Sequence, residues 1–381
     1  MFSKISNDML LRCLFAFLCA VAVALAATPL VKKLAFRVGA IDVPKDNRRM
    51  HKKPIPLWGG LAIYLGFLVS VLIFCDLSKE LIGILVGASL VVLLGAIDDR
   101  FVLDAKLKFL GQIVAAIIPV ACGLRIDFIS DFFHFAEGGQ IVLSTLSIPL
   151  TIIWIVGLSN AVNLIDGLDG LACGVSTIAS FSIFLIVVQL GDAATALVIA
   201  ALAGACIGFL PYNFNPAKIF MGDSGALFLG FILGTVSISG NFKWFTFLNF
   251  GLPFIVLGLP IFDTAIAIIR RVIHGKKPWE ADRGHIHHKL IDMGMSQKQA
   301  VAVLYAASAI LGLSAILLTN SNTIKLIIMA VVIVISVAAA IRLYLAHERH
   351  LKEQHEQEMA AQNNSASQGN NAPASDAPES N

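Results

Sequence analysis

Long apolar runs separated by short polar stretches dominate this chain. They fall at residues 10–31, 57–75, 80–97, 107–123, 145–159, 167–189, 193–210, 222–239, 246–269, 299–319 and 323–345. A helix needs roughly 20 apolar residues to cross the hydrocarbon of a bilayer, and in lipid every backbone N–H and C=O must be satisfied within the segment itself. The pattern predicts an all-α polytopic integral membrane protein with about eleven transmembrane helices, occupying residues 1–345 as one domain. The first run ends in Ala24-Leu25-Ala26-Ala27 like a signal peptide, but its length and the basic loop after it mark a retained helix. Residues 346–381 turn polar and end in an Asn/Ser/Ala/Pro-rich stretch with too little apolar surface to fold, so a disordered tail is expected.

Composition sharpens this picture. Charged residues make up only 14% of the chain and hydrophobic ones 57%, against about 25% charged in ordinary soluble domains, and the mean hydropathy is +0.82. The cysteines at 13, 19, 75, 122, 173 and 206 are scattered through apolar runs without metal-ligand spacing, so they read as small packing residues. Charge distribution then orients the chain. Taking loops alternately, only Lys4, Arg12, Lys79, Arg125, Lys243 and Lys325 of the 28 Lys and Arg fall in one set. The other set is therefore cytoplasmic, the N-terminus outside and the C-terminus inside. By the same parity, Asp98-Asp99, Asn163 to Asp169, Asn213 to Asp223 and His285 to His288 open on the cytoplasmic side. The outer segment Arg125 to Ser144 is expected to form a hairpin or lie on the outer surface.

Those four loops carry the candidate chemistry. Asn163-Leu164-Ile165-Asp166-Gly167-Leu168-Asp169-Gly170 sets two acids and an amide between apolar runs. If a helix starts near Gly167, Asp166 and Asp169 share its first turn, where spare N–H groups suit carboxylates, phosphates or a carboxylate-held cation. The bland alternative is a helix cap, but acids at a membrane edge are costly and usually functional. Asp98-Asp99 follows the third run, with Arg100, Lys106 and Lys108 close by; adjacent carboxylates favour a cation or a raised pKa. Asp223 and Ser224 open the eighth run between Gly222 and Gly225, a plausible magnesium and diphosphate site or an N-cap. His285-Ile286-His287-His288 invites zinc, but Arg271, Lys276, Lys277 and Arg283 oppose a second cation and favour an anion. The segment from Asp42 to Gly60, basic at Lys45, Arg48, Arg49, His51, Lys52 and Lys53, reads equally as a topogenic loop attracted to anionic lipid. Asp263, in the ninth run, has no partner visible in the sequence.

The ordered set Pro54-Ile55-Pro56 with Gly59-Gly60, Asp98-Asp99, Asn163 to Gly170, Asn213 to Gly225 and His285 to His288 resembles the polyprenyl-phosphate N-acetylhexosamine-1-phosphate transferases over about residues 40–300. Ile286 interrupting the histidines resembles the WecA/TagO branch, which uses UDP-N-acetylglucosamine, more than the MraY branch, which uses UDP-MurNAc-pentapeptide. Leu57-Trp58 departs from the family's basic residue before the glycine pair. The resemblance implies transfer of N-acetylglucosamine 1-phosphate from UDP-N-acetylglucosamine to undecaprenyl phosphate, with release of UMP. It implies magnesium (or manganese), a bacterial inner (plasma) membrane with a cytoplasmic active site, and the first membrane step of a cell-envelope glycopolymer such as lipopolysaccharide or teichoic acid. A homodimer is the assembly it suggests.

For the site residues, the resemblance implies Asp223 as main metal ligand with Asp99 as second. His285, His287, His288 and Arg283 would hold the diphosphate or UMP, and Asn163, Asn213, Asp166 and Asp169 the nucleotide, the sugar or the metal shell. Lys108 would steer the lipid phosphate. Asp98 resembles the family's proposed base, although a phosphate monoester with a second pKa of about 6 is already mostly dianionic at neutral pH. A transporter or lipid flippase is the competing class, against which stand the lack of a convincing internal repeat and the placing of the acids at one membrane edge.

Overall fold

The computed structural model describes residues 5–44, 53–130, 140–239, 251–275 and 284–319. Its helices begin and end where local chemistry dictates. Helix α1 (Asn7–Val38) starts where the Ser6 hydroxyl accepts the Met9 N–H and stops at Gly39, whose left-handed backbone at φ 79° suits glycine. After a two-residue pairing of β1 (Ile41–Asp42) with β2 (Ile55–Pro56) come α2 (Gly59–Phe74), α3 (Lys79–Phe101) and α4 (Ala105–Ala121). Ser78 caps α3 and Asp104 caps α4 through their side chains. Strands β3 (Phe128–Ser130) and β4 (Gln140–Val142) then pair antiparallel within the segment for which a hairpin or a surface-lying stretch was expected.

Helices α5 (Ser147–Ile165), α6 (Leu171–Leu190), α7 (Ala193–Asn213) and α8 (Gly222–Val236) follow, then α9 (Gly251–Val256), α10 (Gly258–Ile273), the short α11 (Ile286–Asp292) and α12 (Gln297–Leu318). Among the described residues six helices are long and apolar enough to cross a membrane, and α2 and α8 are shorter apolar helices. The chain is thus a polytopic, helical membrane protein. The run at 323–345 and the tail at 346–381 lie outside the described residues. The described part of the run 246–269, expected as one span, forms two helices parted at Leu257. Pro260 explains the break: it has no N–H to give the Val256 carbonyl four residues back.

Helices α7 and α8 form the centre, with α1, α2 and α6 packed on α7, and α3, α5 and α2 on α8. In lipid, helices associate through close backbone approach at small residues rather than through apolar burial. A β-carbon on Gly204 would lie 2.2 Å from the Phe17 carbonyl oxygen, and one on Gly208 2.4 Å from that of Val21. Large apolar side chains of α1 such as Phe15 and Leu30 stay exposed, as a lipid-facing surface requires.

One junction positions the functional end. The Gly59 and Gly60 N–H groups donate to the Phe220 and Met221 carbonyls, both at 2.9 Å, and the Phe220 N–H donates to the Pro56 carbonyl. The start of α2 is thereby laced to the start of α8. Trp58, standing where a basic residue was expected, turns the chain at φ 75° and donates its indole N–H to the Ala96 carbonyl at 2.9 Å, tying the turn to α3. A β-carbon on Gly60 would be 2.0 Å from the Gly225 nitrogen, a backbone atom with nowhere to go. Gly60→Ala should therefore destabilise the protein at the upper end of overpacking costs, about 3 kcal/mol, lowering its melting temperature in detergent; an unchanged melt would show that the junction can spread.

Candidate active site

The loops singled out in the sequence meet at one end of the helices, around Asp223. This residue is the second of α8 and does not cap that helix; Asp99 does. Asp99 Oδ1 accepts the Asp223 N–H at 2.7 Å and Oδ2 accepts the Ser224 N–H at 3.2 Å, satisfying two amides left free at the helix start. Gly222, at φ 70°, lets the two chains approach, since a β-carbon there would be 2.5 Å from Asp99 Oδ2. Asp99, expected as a second metal ligand, caps this helix, each of its oxygens accepting one backbone N–H.

The Asp223 carboxylate is held from two further helices. The Lys108 ammonium of α4 pairs with Oδ2, and Asn163 Nδ2 of α5 donates to Oδ1 at 3.0 Å. Lys108 also pairs with Asp98 Oδ2 at 2.9 Å, while Asp98 Oδ1 accepts the Leu103 N–H at 2.6 Å. Lys108, expected to steer a lipid phosphate, bridges two carboxylates. Both Asp98 oxygens thus have a partner, the Lys108 ammonium on one and the Leu103 N–H on the other.

Asp166 and Asp169 do not share a helical turn. Helix α5 runs to Ile165, Asp166 is its C-cap residue, and α6 begins only after Gly170, whose φ of 77° bars an earlier start. Asp169 reaches across to the α7–α8 loop, where its Oδ2 accepts the Asn215 amide at 3.0 Å and the Ala217 N–H at 2.9 Å. Asp166 is different. Burial, and then the charges of Asp223, Asp99 and Asp169, push its pKa up to about 8. Asn213, 3% exposed, donates to the Ile219 carbonyl at 3.1 Å, and its buried Oδ1 has no hydrogen-bond partner among the described residues.

The histidine segment closes over the same loop. A β-carbon on Gly167 would lie 2.2 Å from His287 Nε2, so this glycine is what lets the imidazole rest on the acidic turn. Burial, and then the neighbouring His288, lower the His287 pKa to about 4, leaving a neutral ring at physiological pH. His287 stacks on His285 at 5.8 Å between centroids and meets His288 at 4.3 Å. Arg283 lies outside the described residues. The partner of Asp263, missing from the sequence reading, is His285: Oδ2 pairs with its Nδ1 at 2.8 Å, and Oδ1 accepts the Ile286 N–H at 2.8 Å. Periodicity cannot connect residues 22 positions apart; an acid in an apolar run was the only signal.

Several acids at the end of one helical bundle, with Lys108 between Asp98 and Asp223, form an oxygen-donor set suited to a hard divalent cation. Among the described residues no three His, Cys, Asp or Glu side chains close on one point as a full cage. Beside α5 lies an apolar groove of about 550 Å³ lined by Ile126, Trp154, Leu158, Ala161, Phe254 and Ala265 among others.

Residues 81–241 match the model of Glycosyl transferase family 4, a span that contains Asp98, Asp99, Asp166, Asp169 and Asp223 but not Asp263. The chain is 42% identical over 318 residues to a probable undecaprenyl-phosphate N-acetylglucosaminyl 1-phosphate transferase of Bacillus subtilis, covering 83% of this chain and 87% of that one. It is 38% identical to a decaprenyl-phosphate N-acetylglucosaminephosphotransferase of Mycolicibacterium smegmatis, covering 73% and 75%. A phospho-N-acetylmuramoyl-pentapeptide-transferase of Staphylococcus aureus is 34% identical, covering 75% and 91%. With identity at this level over most of both chains, the protein belongs to glycosyl transferase family 4.

Proposed function

We propose that the chain transfers N-acetylglucosamine 1-phosphate from UDP-N-acetylglucosamine to undecaprenyl phosphate. An oxygen of the lipid phosphate attacks the sugar-bearing phosphorus, the bond to the bridging oxygen breaks, and UMP leaves with that oxygen. The observation that carries the reading is the meeting of Asp98, Lys108, Asn163, Asp166 and Asp223, drawn from separate loops, at one end of a membrane bundle. Similarity to the N-acetylglucosamine enzymes at 42% and 38% identity supports this donor over the muramoyl-pentapeptide one at 34%, and so does Ile286 between the histidines.

Two polyanions must be brought together, so positioning and charge neutralisation dominate the barrier. Asp223 and Asp166 are the residues that would hold magnesium or manganese, which when bound neutralises charge developing on the phosphates. Asp99 fixes the Asp223 backbone. Lys108 and Asn163 orient its carboxylate, and Asp98 anchors Lys108. Asp169 and Asn213 shape the wall that the nucleotide or sugar meets. His285, His287 and His288, with Arg283, address the diphosphate; His287 does so as a neutral donor or acceptor. The groove beside α5 suits a polyprenyl tail. The basic loops favour a cytoplasmic site in a bacterial plasma membrane.

Purified protein given UDP-N-acetylglucosamine, undecaprenyl phosphate and magnesium should release UMP, and chelation should stop it. Asp223→Ala should cut turnover about 10²-fold or more, only partly restored by excess magnesium. Release of UMP from the muramoyl-pentapeptide donor alone would replace the substrate assignment, and full activity after chelation would remove the metal.

Asp98→Asn separates a base from a support. With both oxygens of Asp98 engaged, turnover should fall about 10²-fold at pH 8 and at pH 5.5 alike. Near-normal turnover at pH 8 with loss at pH 5.5 would instead assign deprotonation to Asp98.

Orientation has its own check. In a cysteine-free background, a thiol introduced at Ala217 should react with an impermeant reagent only from the cytoplasmic side; labelling from outside would invert the topology.

A further inference from the structure

One turn deeper in the bundle than Lys108 and Asn163 lies a polar pair with no part in the scheme so far. Gln112 Nε2 of α4 donates to Asn160 Oδ1 of α5 at 3.4 Å, and Asn160 Nδ2 donates back to Gln112 Oε1 at 2.5 Å. Asn160 Nδ2 also donates to the Val156 carbonyl at 2.8 Å. Gln112 is 2% exposed. In the interior of a membrane bundle no water is at hand to replace these bonds, so each amide is held by the other.

The spacing gives the pair its meaning. Gln112 lies four residues after Lys108, and Asn160 three before Asn163, so on each helix the two polar side chains share one face. At 1.5 Å per residue the amides lie roughly 6 and 4.5 Å from those two residues along the helix axes. Above them Lys108 reaches one oxygen of Asp223 and Asn163 the other. The distance between α4 and α5 therefore decides whether both donors fit a single carboxylate, and the amide clasp sets that distance at the nearest level below.

We infer that Gln112 and Asn160 are positioning residues for the transferase site, clasping α4 to α5 so that Lys108 and Asn163 together aim the Asp223 carboxylate. This rests on the reading of Asp223 as the metal-holding residue. The pair touches no reacting atom; it acts through Asp223.

The test uses full-length protein in detergent with Gln112→Met and Asn160→Leu, substitutions close in volume, singly and together, and the exchanged pair Gln112→Asn with Asn160→Gln. Each single variant should lower kcat about ten-fold, leave the KM for UDP-N-acetylglucosamine within about two-fold, and weaken Mn2+ binding by substrate-free protein, read by electron paramagnetic resonance. The double variant should be no worse than either single one, because the two act as one unit. The exchanged pair, keeping two amides and the same summed length, should regain most of the kcat and Mn2+ affinity. Unchanged kcat and Mn2+ affinity would overturn the inference. So would a kcat loss that follows a fall in melting temperature while Mn2+ affinity stays intact, which would make the clasp helix adhesion alone. Wild-type protein that released no UMP would overturn the transferase reading instead, and the Mn2+ measurements would still decide whether the clasp positions Asp223.

Discussion

Like charges gathered in a poor dielectric repel strongly unless donors or cations are fixed among them, and that constraint organises the functional end of this molecule. Asp98, Asp99, Asp166 and Asp223 meet with Lys108 as the cation bridging two of them. Two of the four are relieved locally. Asp99 takes two backbone amides at the start of α8, and Asp98 takes one amide and shares Lys108. Asp223 is shared between an ammonium and an amide. That leaves Asp166, with its pKa pushed up to about 8, as the acid whose repulsion is least compensated by the protein. A divalent cation would relieve it, and ionisation at neutral pH and metal affinity are then two sides of one electrostatic balance.

The close packing of backbone around this cluster follows from the same need. An acid at a membrane edge must be held by main-chain amides and short side chains, and these reach only if helices nearly touch. Gly60 against Gly225, Gly95 against Ser224 and Gly222 against Asp99 remove the β-carbons that would hold α2, α3 and α8 apart. The glycines of the motifs thus build the site by allowing contact.

Much of this was legible in the chain. The apolar runs and the grouping of acids by loop parity follow from local pattern. What pattern could not supply was the direction of individual side chains. Asp166 and Asp169, three apart, look like one helical face, yet Gly170 delays α6 and turns Asp169 toward Asn215. Asp99 and Asp223 both look like ligands, and only their three-dimensional relation shows that one caps the helix carrying the other. The ninth run looks continuous in hydropathy, but Pro260 divides it. Asp263 with His285, and Gln112 with Asn160, join residues distant in sequence, and nothing local marks either pair.

The division of α9 from α10 also bears on how the histidine segment is held. Because α10 starts anew at Gly258, Asp263 falls within its first two turns and lies buried beside His285. Its carboxylate fixes which nitrogen of His285 faces inward, and by taking the Ile286 N–H it also anchors the start of α11. His287, resting on Gly167 and kept neutral by burial, brings no positive charge. In the proposed reading, His287 would meet a diphosphate through a donor aimed in a fixed direction and not through charge. Ile286 packs against the core while His285 and His287 lie to either side of it in the chain. A histidine at position 286 would replace that apolar contact with a polar ring and alter the platform on which the other two are set.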